Sequence, residues 1–139
     1  MTLANILFVD DEPRGIKNFI DELIFSGYQV NFQNNIDSAE KYLQQHHNTI
    51  QLVILDIMMP PGETLRMQDT DNGMKTGILF RNKIRSDFPE LPIILFTNFH
   101  PDPQLKQEIH DDPKSLLLQK YNYLPFELVE VVQNFFNLS

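Results

Sequence analysis

Uninterrupted apolar runs alternate with amphipathic segments along the whole of this 139-residue chain. Only apolar side chains occur in four of these runs, residues 6–9, 52–55, 93–96 and 116–118. Such runs are typical of parallel strands that are buried on both faces. Between them, apolar residues such as Ile16, Phe19 and Ile20 recur at helical spacing. The repeated alternation predicts an α/β fold, with a doubly wound parallel sheet covered by helices on both faces.

Five strand–helix pairs account for nearly the whole chain, which fits a single domain over residues 1–139. Pro13 suits the first turn of the first helix, and Gly27 suits its C-terminal end. The strands are predicted over residues 5–9, 28–32, 52–55, 93–96 and 116–118. The later helices are predicted over residues 37–45, 76–88, 104–110 and 126–136.

Chemically active side chains follow four of the predicted strands, at the point where each strand ends. They are Asp10 and Asp11, Asp56, Thr97 and Lys120. In an open α/β sheet the carboxyl ends of the strands form the crevice in which ligands bind. Each residue alone has a plainer interpretation, because aspartates also cap helices and turns. Together, three carboxylates, a hydroxyl and an ammonium predict a site for a hard cation and a phosphate.

The overall composition excludes several classes of function. The formal net charge of −8 argues against nonspecific binding to nucleic acids, which relies on clustered Lys and Arg. No apolar run is long enough to span a bilayer, so we expect no membrane partner. The absence of cysteine rules out disulfides and thiol chemistry, and it permits a reducing cytoplasm.

Short motifs surround the strand-end residues in a definite order. They are FVDDE at residues 8–12, LDIMMP at residues 55–60 and PELPII at residues 89–94, followed by Thr97 and Lys120. Each motif is weak alone, but all of them in this order on these elements form a specific signal. On these residues the chain resembles a response-regulator receiver domain over essentially its whole length. The resemblance implies a flavodoxin-like fold with the strand order 2-1-3-4-5.

The resemblance also implies a phosphoacceptor and a metal site. Asp56 would be the carboxylate nucleophile that accepts a phosphoryl group as an aspartyl phosphate. Clustered carboxylates repel an incoming phosphoryl group, so a Mg²⁺ ion is implied as cofactor. Asp11, Asp56 and the backbone carbonyl of Met58 would bind this ion directly, and Asp10 would bind it through water.

The remaining site residues and the partners follow from the same resemblance. Lys120 would pair with the phosphoryl oxygens, and Thr97 would donate a hydrogen bond to one of them. The donor would be a sensor histidine kinase or a histidine phosphotransfer protein, and the output would be altered affinity for a downstream protein. We expect a cytoplasmic, stoichiometric phosphoacceptor that catalyses its own phosphorylation and dephosphorylation. Because the chain ends just after the last predicted helix, we expect a stand-alone receiver without an output domain.

Three residues depart from the family pattern. The switch position, usually aromatic, is Leu117; the small residue expected after the threonine is Asn98; and the proline expected after the lysine is Tyr121. These departures leave open a pseudo-receiver, which would bind proteins without being phosphorylated. A phosphatase acting on external substrates is the third hypothesis, but Met58 stands where that class typically has a second carboxylate.

Two segments carry further expectations. The loop over residues 61–72 is longer than the family's usual connection, and it is interpreted either as a flap beside Asp56 or as a tolerated surface insertion. The last helix has more apolar residues than one buried stripe needs. We expect Leu128, Val131, Val132 and Phe135 to face inward. Phe126, Val129 or Phe136 would then form a partner or homodimer surface, or pack around the helix edge.

Overall fold

The computed structural model describes residues 3–137, which form one five-stranded parallel sheet with helices on both faces. The strands are β1 (Asn5–Val9), β2 (Gln29–Gln33), β3 (Leu52–Leu55), β4 (Ile93–Thr97) and β5 (Ser115–Gln119). The helices are α1 (Pro13–Phe25), α2 (Ile36–His46), α3 (Thr76–Asp87), α4 (Pro103–His110) and α5 (Pro125–Asn137). The order β2-β1-β3-β4-β5 confirms the predicted topology.

The two faces of the sheet bury two separate apolar layers. Because successive strand residues point to opposite faces, one uninterrupted apolar run contributes to both layers. In β1, Leu7 packs with the layer that includes residues of α2 and α3, whereas Phe8 packs with the layer that includes residues of α1 and α5. Both side chains are almost fully buried. Burying a side chain of this size stabilises the fold by about 1.5–3 kcal/mol, so the central strands anchor the crevice edge firmly.

The last helix differs in detail from the prediction. Leu128, Val132 and Phe135 are buried as predicted, but Val129 is buried too, and Val131 is only half-buried. Phe126 remains 53% exposed, and Phe136 is half-buried against the layer that contains α1. The buried stripe is therefore rotated slightly from the predicted one, because the close contact between α5 and α1 decides which edge is covered. Within residues 3–137, no helix is both long and apolar enough to cross a membrane.

An ionic network fixes the start of β5 to α3. The Asp112 Oδ2 atom accepts hydrogen bonds from Arg81 Nη2 at 2.6 Å, Arg85 Nε at 2.8 Å and Ser115 Oγ at 2.7 Å. Burial by itself would raise the pKa of Asp112. The hydrogen bonds from Ser115, from the Lys114 amide and from Arg85 outweigh it and hold that pKa well below its usual value.

We expect Asp112→Asn to lower the free energy of unfolding by about 3 kcal/mol at pH 7, because two guanidinium groups lose their counter-charge. Asp112 releases its proton more readily in the folded protein, so its contribution is present above the unfolded pKa of 3.8 and is lost as the pH falls toward the folded pKa. Urea unfolding at pH 7 and pH 3 measures both effects. The difference in free energy of unfolding between wild type and variant should be smaller at pH 3 than at pH 7. An unchanged difference would contradict the charge argument. Asp111→Asn, at an exposed neighbouring carboxylate, is the control and should change stability by less than about 0.5 kcal/mol.

Candidate functional site

The sheet brings the three predicted carboxylates together at its carboxyl edge. Asp10 and Asp11 follow β1, and Asp56 follows the neighbouring β3, where its amide donates to the Val9 carbonyl at 3.0 Å. Carboxylate oxygens of the three aspartates lie within 4.8 Å of one another. Asp10 is fully buried, Asp56 is 8% exposed and Asp11 is half-buried. The strand pairing therefore places three potential anions in one small volume.

Lys120 brings an ammonium group to this cluster. Its Nζ atom donates to Asp10 Oδ2 at 2.6 Å and to Asp56 Oδ2 at 3.2 Å. Burial favours the neutral amine, but the hydrogen bond and charge of Asp10, together with those of Asp56, outweigh it and raise the pKa of Lys120. The second Asp56 oxygen, Oδ1, accepts from the Ile57 amide at 2.7 Å. Both carboxylate oxygens of Asp56 are thus held in a defined orientation.

A single ammonium does not balance the negative charge of the cluster. Burial raises the pKa of Asp10 in spite of its contact with Lys120. Burial, followed by repulsion from Asp56, also raises the pKa of Asp11. A bound cation offsets the negative charge of such buried carboxylates. A set of ligands made only of oxygen atoms suits Mg²⁺. These residues therefore fit the predicted metal.

The predicted hydroxyl lies on the same crevice. Thr97 is 1% exposed at the end of β4, and its Oγ1 atom accepts a hydrogen bond from the Phe99 amide at 3.1 Å. The crevice has a volume of about 560 Å³. It is lined by Asp11, Glu12, Gly15, Phe19, Asp56, Met58, Thr97, Asn98, Phe99, Lys120 and Tyr121. Asp11, Asp56, Thr97 and Lys120 thus meet in one open cavity, with Asp10 buried beside them.

Met58 and Leu117 have different positions relative to this crevice. The Met58 side chain is 43% exposed and forms part of the crevice wall, which places its backbone near the cluster. Leu117 pairs with Leu95 in the sheet and packs, half-buried, against the layer that contains α3. Its side chain is absent from the crevice wall. The metal-ligand role of the Met58 carbonyl and the switch role of residue 117 both stay predictions.

Tyr121 takes the place of the expected proline without a cis bond. Within residues 3–137 every peptide bond is trans, and Lys120–Asn122 form one turn of 3₁₀ helix. This turn leaves Tyr121 61% exposed at the crevice wall. Its hydroxyl lies 2.9 Å from Nε2 of His100, a residue of the loop that follows β4.

Gly77 is a structural requirement that the sequence analysis missed. Its amide donates to the Ile57 carbonyl at 2.8 Å, where α3 begins against the end of β3. A Cβ atom at this position would overlap the carbonyl oxygen of Asp56. The available signal was a glycine at the second position of a predicted helix, where its conformational entropy is unfavourable. The close approach explains why that cost is tolerated.

The long loop is packed and does not line the crevice. Leu65 is fully buried in the layer that contains α2 and α3. Asp37, near the start of α2, accepts hydrogen bonds from the amides of Glu63 at 3.0 Å and Thr64 at 2.8 Å, and from the Thr64 hydroxyl at 2.6 Å. These bonds lower the pKa of Asp37, chiefly through the Thr64 hydroxyl. The loop is therefore docked on α2, and none of residues 61–72 lines the crevice, which favours the surface insertion over the flap beside Asp56.

Comparisons with known proteins agree on the family. The model of the family described as "Response regulator receiver domain" matches residues 6–122. No curated protein matches the chain. The matched residues, 6–122, include every residue that lines the crevice.

Solved receiver structures share the fold over nearly the full chain. A receiver domain protein from Clostridium thermocellum is 22% identical, with a TM-score of 0.75 over 97% of this chain and 95% of that chain. The chemotaxis response regulator CheY4 of Vibrio cholerae is 24% identical, with a TM-score of 0.73 over 96% of this chain and 99% of that chain. The CheX–CheY–BeF₃–Mg²⁺ complex from Borrelia burgdorferi matches at 19% identity, with a TM-score of 0.76 over 97% of this chain and 90% of that chain.

We expect Asp11→Asn to stabilise the metal-free protein, because it removes a charge that burial and Asp56 disfavour. Asp11 holds its proton more tightly when folded, so the difference between variant and wild type should shrink as the pH falls through the raised folded pKa toward 3.8. Mg²⁺ at a hundred times its dissociation constant should stabilise wild type by about 2.7 kcal/mol and the variant much less. Thermal unfolding with and without Mg²⁺ measures both effects. Asp21→Asn, on the exposed face of α1, should keep the wild-type response. An equal response of Asp11→Asn would argue against this cation site.

We expect Gly77→Ala to lower the free energy of unfolding by about 3 kcal/mol, because the added methyl group must displace the backbone at Asp56. Gly15→Ala is the matched control, since nothing lies within 4 Å of a Cβ atom there. It should raise stability by about 0.5–1 kcal/mol through helix propensity. Urea unfolding compares the two, and a neutral Gly77→Ala would disprove the close approach.

Proposed function

The chain belongs to the response regulator receiver domain family, and from this premise we propose that it accepts a phosphoryl group on Asp56 in a Mg²⁺-dependent reaction. It is a CheY-like receiver of the two-component type. The phosphoryl donor is a sensor histidine kinase or a histidine phosphotransfer protein. The signal passes on as a change in affinity for a downstream protein.

The position of Lys120 carries this proposal. Its ammonium lies 3.2 Å from Asp56 Oδ2 beside two further carboxylates, at the wall of a crevice open to a donor. A carboxylate attacks phosphorus only if the negative charge around the transferred group is offset. The cluster supplies one cation from the chain itself and an oxygen donor set for a second. This arrangement favours phosphoryl transfer over simple ion binding.

The chain's residues divide the work of transfer. A carboxylate oxygen of Asp56 forms a bond to phosphorus as the phosphorus–nitrogen bond of a phosphohistidine breaks, and the imidazole leaves with its electron pair and takes a proton from solvent. Lys120 pairs with an equatorial phosphoryl oxygen. Asp11, Asp56 and the backbone carbonyl of Met58 would hold a Mg²⁺ ion directly and Asp10 would hold it through water, and the ion would supply positive charge that offsets the charge of the phosphoryl group. No other cofactor is required by this chemistry.

Thr97 has a hydroxyl hydrogen that is available for the same phosphoryl group. Its oxygen already accepts the Phe99 amide hydrogen at 3.1 Å, so the hydroxyl hydrogen is left to be donated elsewhere. Thr97 lines the same crevice as Asp56 and Lys120. We infer that this hydroxyl donates to a phosphoryl oxygen on Asp56. In the separate dephosphorylation step, a water molecule that enters the same crevice attacks phosphorus, the bond to the Asp56 oxygen breaks, and inorganic phosphate leaves while Asp56 regains its carboxylate.

The downstream partner is a protein. The Borrelia burgdorferi structure is a complex of a CheY with CheX, and it supports a protein target for this chain as well. Phe126 of α5 is 53% exposed, and it is a candidate contact for a partner or for a second copy of the chain. A homodimer through α5 therefore belongs to the proposal.

We expect acetyl phosphate and Mg²⁺ to add one phosphate to the wild-type protein, because Asp56 is oriented and accessible. Intact-mass analysis should show the added mass only with Mg²⁺, and Asp56→Asn should abolish it. Asp21→Asn, at an exposed position of α1 that does not line the crevice, is the matched control and should be phosphorylated like wild type.

If no added mass is found, there are two possible explanations. Binding of beryllofluoride in the presence of Mg²⁺ distinguishes between them. If wild type binds this phosphoryl analogue, the aspartyl phosphate forms but hydrolyses too fast to be seen. If wild type is folded and binds no analogue, the proposal is wrong, and a pseudo-receiver that binds proteins without phosphorylation takes its place.

A further inference from the structure

Gln119 connects the edge strand to the loop that carries the crevice hydroxyl. It is the last residue of β5 and pairs with Thr97, the last residue of β4. The Gln119 Nε2 atom donates to the Phe99 carbonyl at 3.0 Å. A carbonyl oxygen only accepts hydrogen bonds, so the amide nitrogen of Gln119 must be the atom that faces it.

Phe99 is consequently held at both ends of its backbone unit. Its amide donates to Thr97 Oγ1 at 3.1 Å, and its carbonyl accepts from Gln119 at 3.0 Å. The first bond occupies a lone pair of the Thr97 oxygen and thereby restricts the direction of the hydroxyl hydrogen. If Phe99 shifts, that restriction is lost. The Gln119 side chain thus acts on the Thr97 hydroxyl through one intervening residue.

Stability alone does not account for a glutamine here. Among the described residues, Gln119 Oε1 is one of three buried side-chain nitrogen or oxygen atoms without a hydrogen-bond partner. A buried acceptor of this kind is unfavourable, and an apolar side chain of the same length would avoid it. What the glutamine adds is the single bond to the Phe99 carbonyl.

The neighbouring positions offer no equivalent link. Leu117, two residues earlier on the same strand, has no polar atom in its side chain and packs against the apolar layer. Tyr121 reaches the loop only at His100, where its side chain is mostly solvent-exposed. Gln119 is therefore the partly buried residue of β5 whose side chain hydrogen-bonds to the loop directly after Thr97.

We propose that Gln119 is a positioning residue for the Thr97 hydroxyl, acting through the backbone of Phe99. The proposal rests on the proposed function, since Thr97 is positioned for a phosphoryl oxygen on Asp56. It also makes Gln119 the connection between the crevice and edge strand β5 in a chain whose residue 117 is leucine.

The test uses Gln119→Met, which keeps the side-chain length and removes the amide. Gln119→Glu is the second variant, because it keeps an acceptor and loses the donor. Gln44→Met is the matched control, since Gln44 is exposed on α2 and its side chain donates to Glu40 Oε1 at 2.7 Å, away from the crevice. The first measurement is amide hydrogen exchange of Phe99 in the metal-free protein. The Phe99 amide hydrogen should exchange about fivefold faster in both Gln119 variants than in wild type, as expected for the loss of one hydrogen bond.

The second measurement separates positioning from a purely structural role. Binding of Mg²⁺ alone should change less than about twofold in either Gln119 variant, because the aspartates are untouched. Binding of beryllofluoride in saturating Mg²⁺ should weaken about fivefold or more, because the analogue occupies the phosphoryl position that the Thr97 hydroxyl contacts. Gln44→Met should match wild type in all three measurements.

The outcomes are distinguishable. Unchanged Phe99 exchange in both variants would overturn the proposal at its first step. Faster exchange with unchanged beryllofluoride binding would make Gln119 structural only, and the proposed function would stand. Equal loss of Mg²⁺ and beryllofluoride binding would indicate a general disturbance of the crevice and would also overturn the positioning role. If wild type itself binds no beryllofluoride, the proposed function fails, and this proposal fails with it.

Discussion

The contact between Lys120 and two buried carboxylates is the interaction on which the crevice depends. Its ammonium lies 2.6 Å from Asp10 and 3.2 Å from Asp56, so it joins the residues that follow β1, β3 and β5. Without that cation, the cluster would place three negative charges within 4.8 Å of one another in a poorly solvated volume. Burial raises the pKa values of Asp10 and Asp11 in spite of Lys120, so one ammonium does not fully offset the cost of ionising these carboxylates. The three carboxylates therefore fit a divalent cation such as Mg²⁺.

The surrounding fold keeps the cluster in place by contacts that carry no reactive chemistry. Gly77 allows α3 to begin directly against the backbone of Asp56. Asp112 joins Arg81 and Arg85 of α3 to the start of β5, the strand that delivers Lys120 at its other end. Asp37 secures the long loop on α2, away from the crevice wall. Packing and ion pairs elsewhere in the fold thus hold the charged side chains in place at the carboxyl edge of the sheet.

The loop after β4 is where the crevice meets the rest of the molecule. Thr97 belongs to the buried strand, but the residue that orients its hydroxyl, Phe99, lies outside the strand and is held by Gln119. If Asp56 is phosphorylated as we propose, these two hydrogen bonds connect the phosphoryl position to β5 without an aromatic ring at residue 117. This connection suits a receiver in which binding at one edge of the sheet alters a surface on its flank.

Sequence alone determined the strands, their order by resemblance, and the reactive groups at their ends. Burial and side-chain alternation are local properties, so apolar runs such as 52–55 and the aspartate that follows are legible in the chain. Only the tertiary structure decided which distant side chains meet: Gln119 with Phe99, Asp112 with Arg81, and the long loop with α2. Such contacts depend on strand register and helix packing, and a shift of one residue would send each side chain to another face. The residue types at the crevice can therefore be predicted from the sequence. The contacts that hold them in place are known only from the tertiary structure.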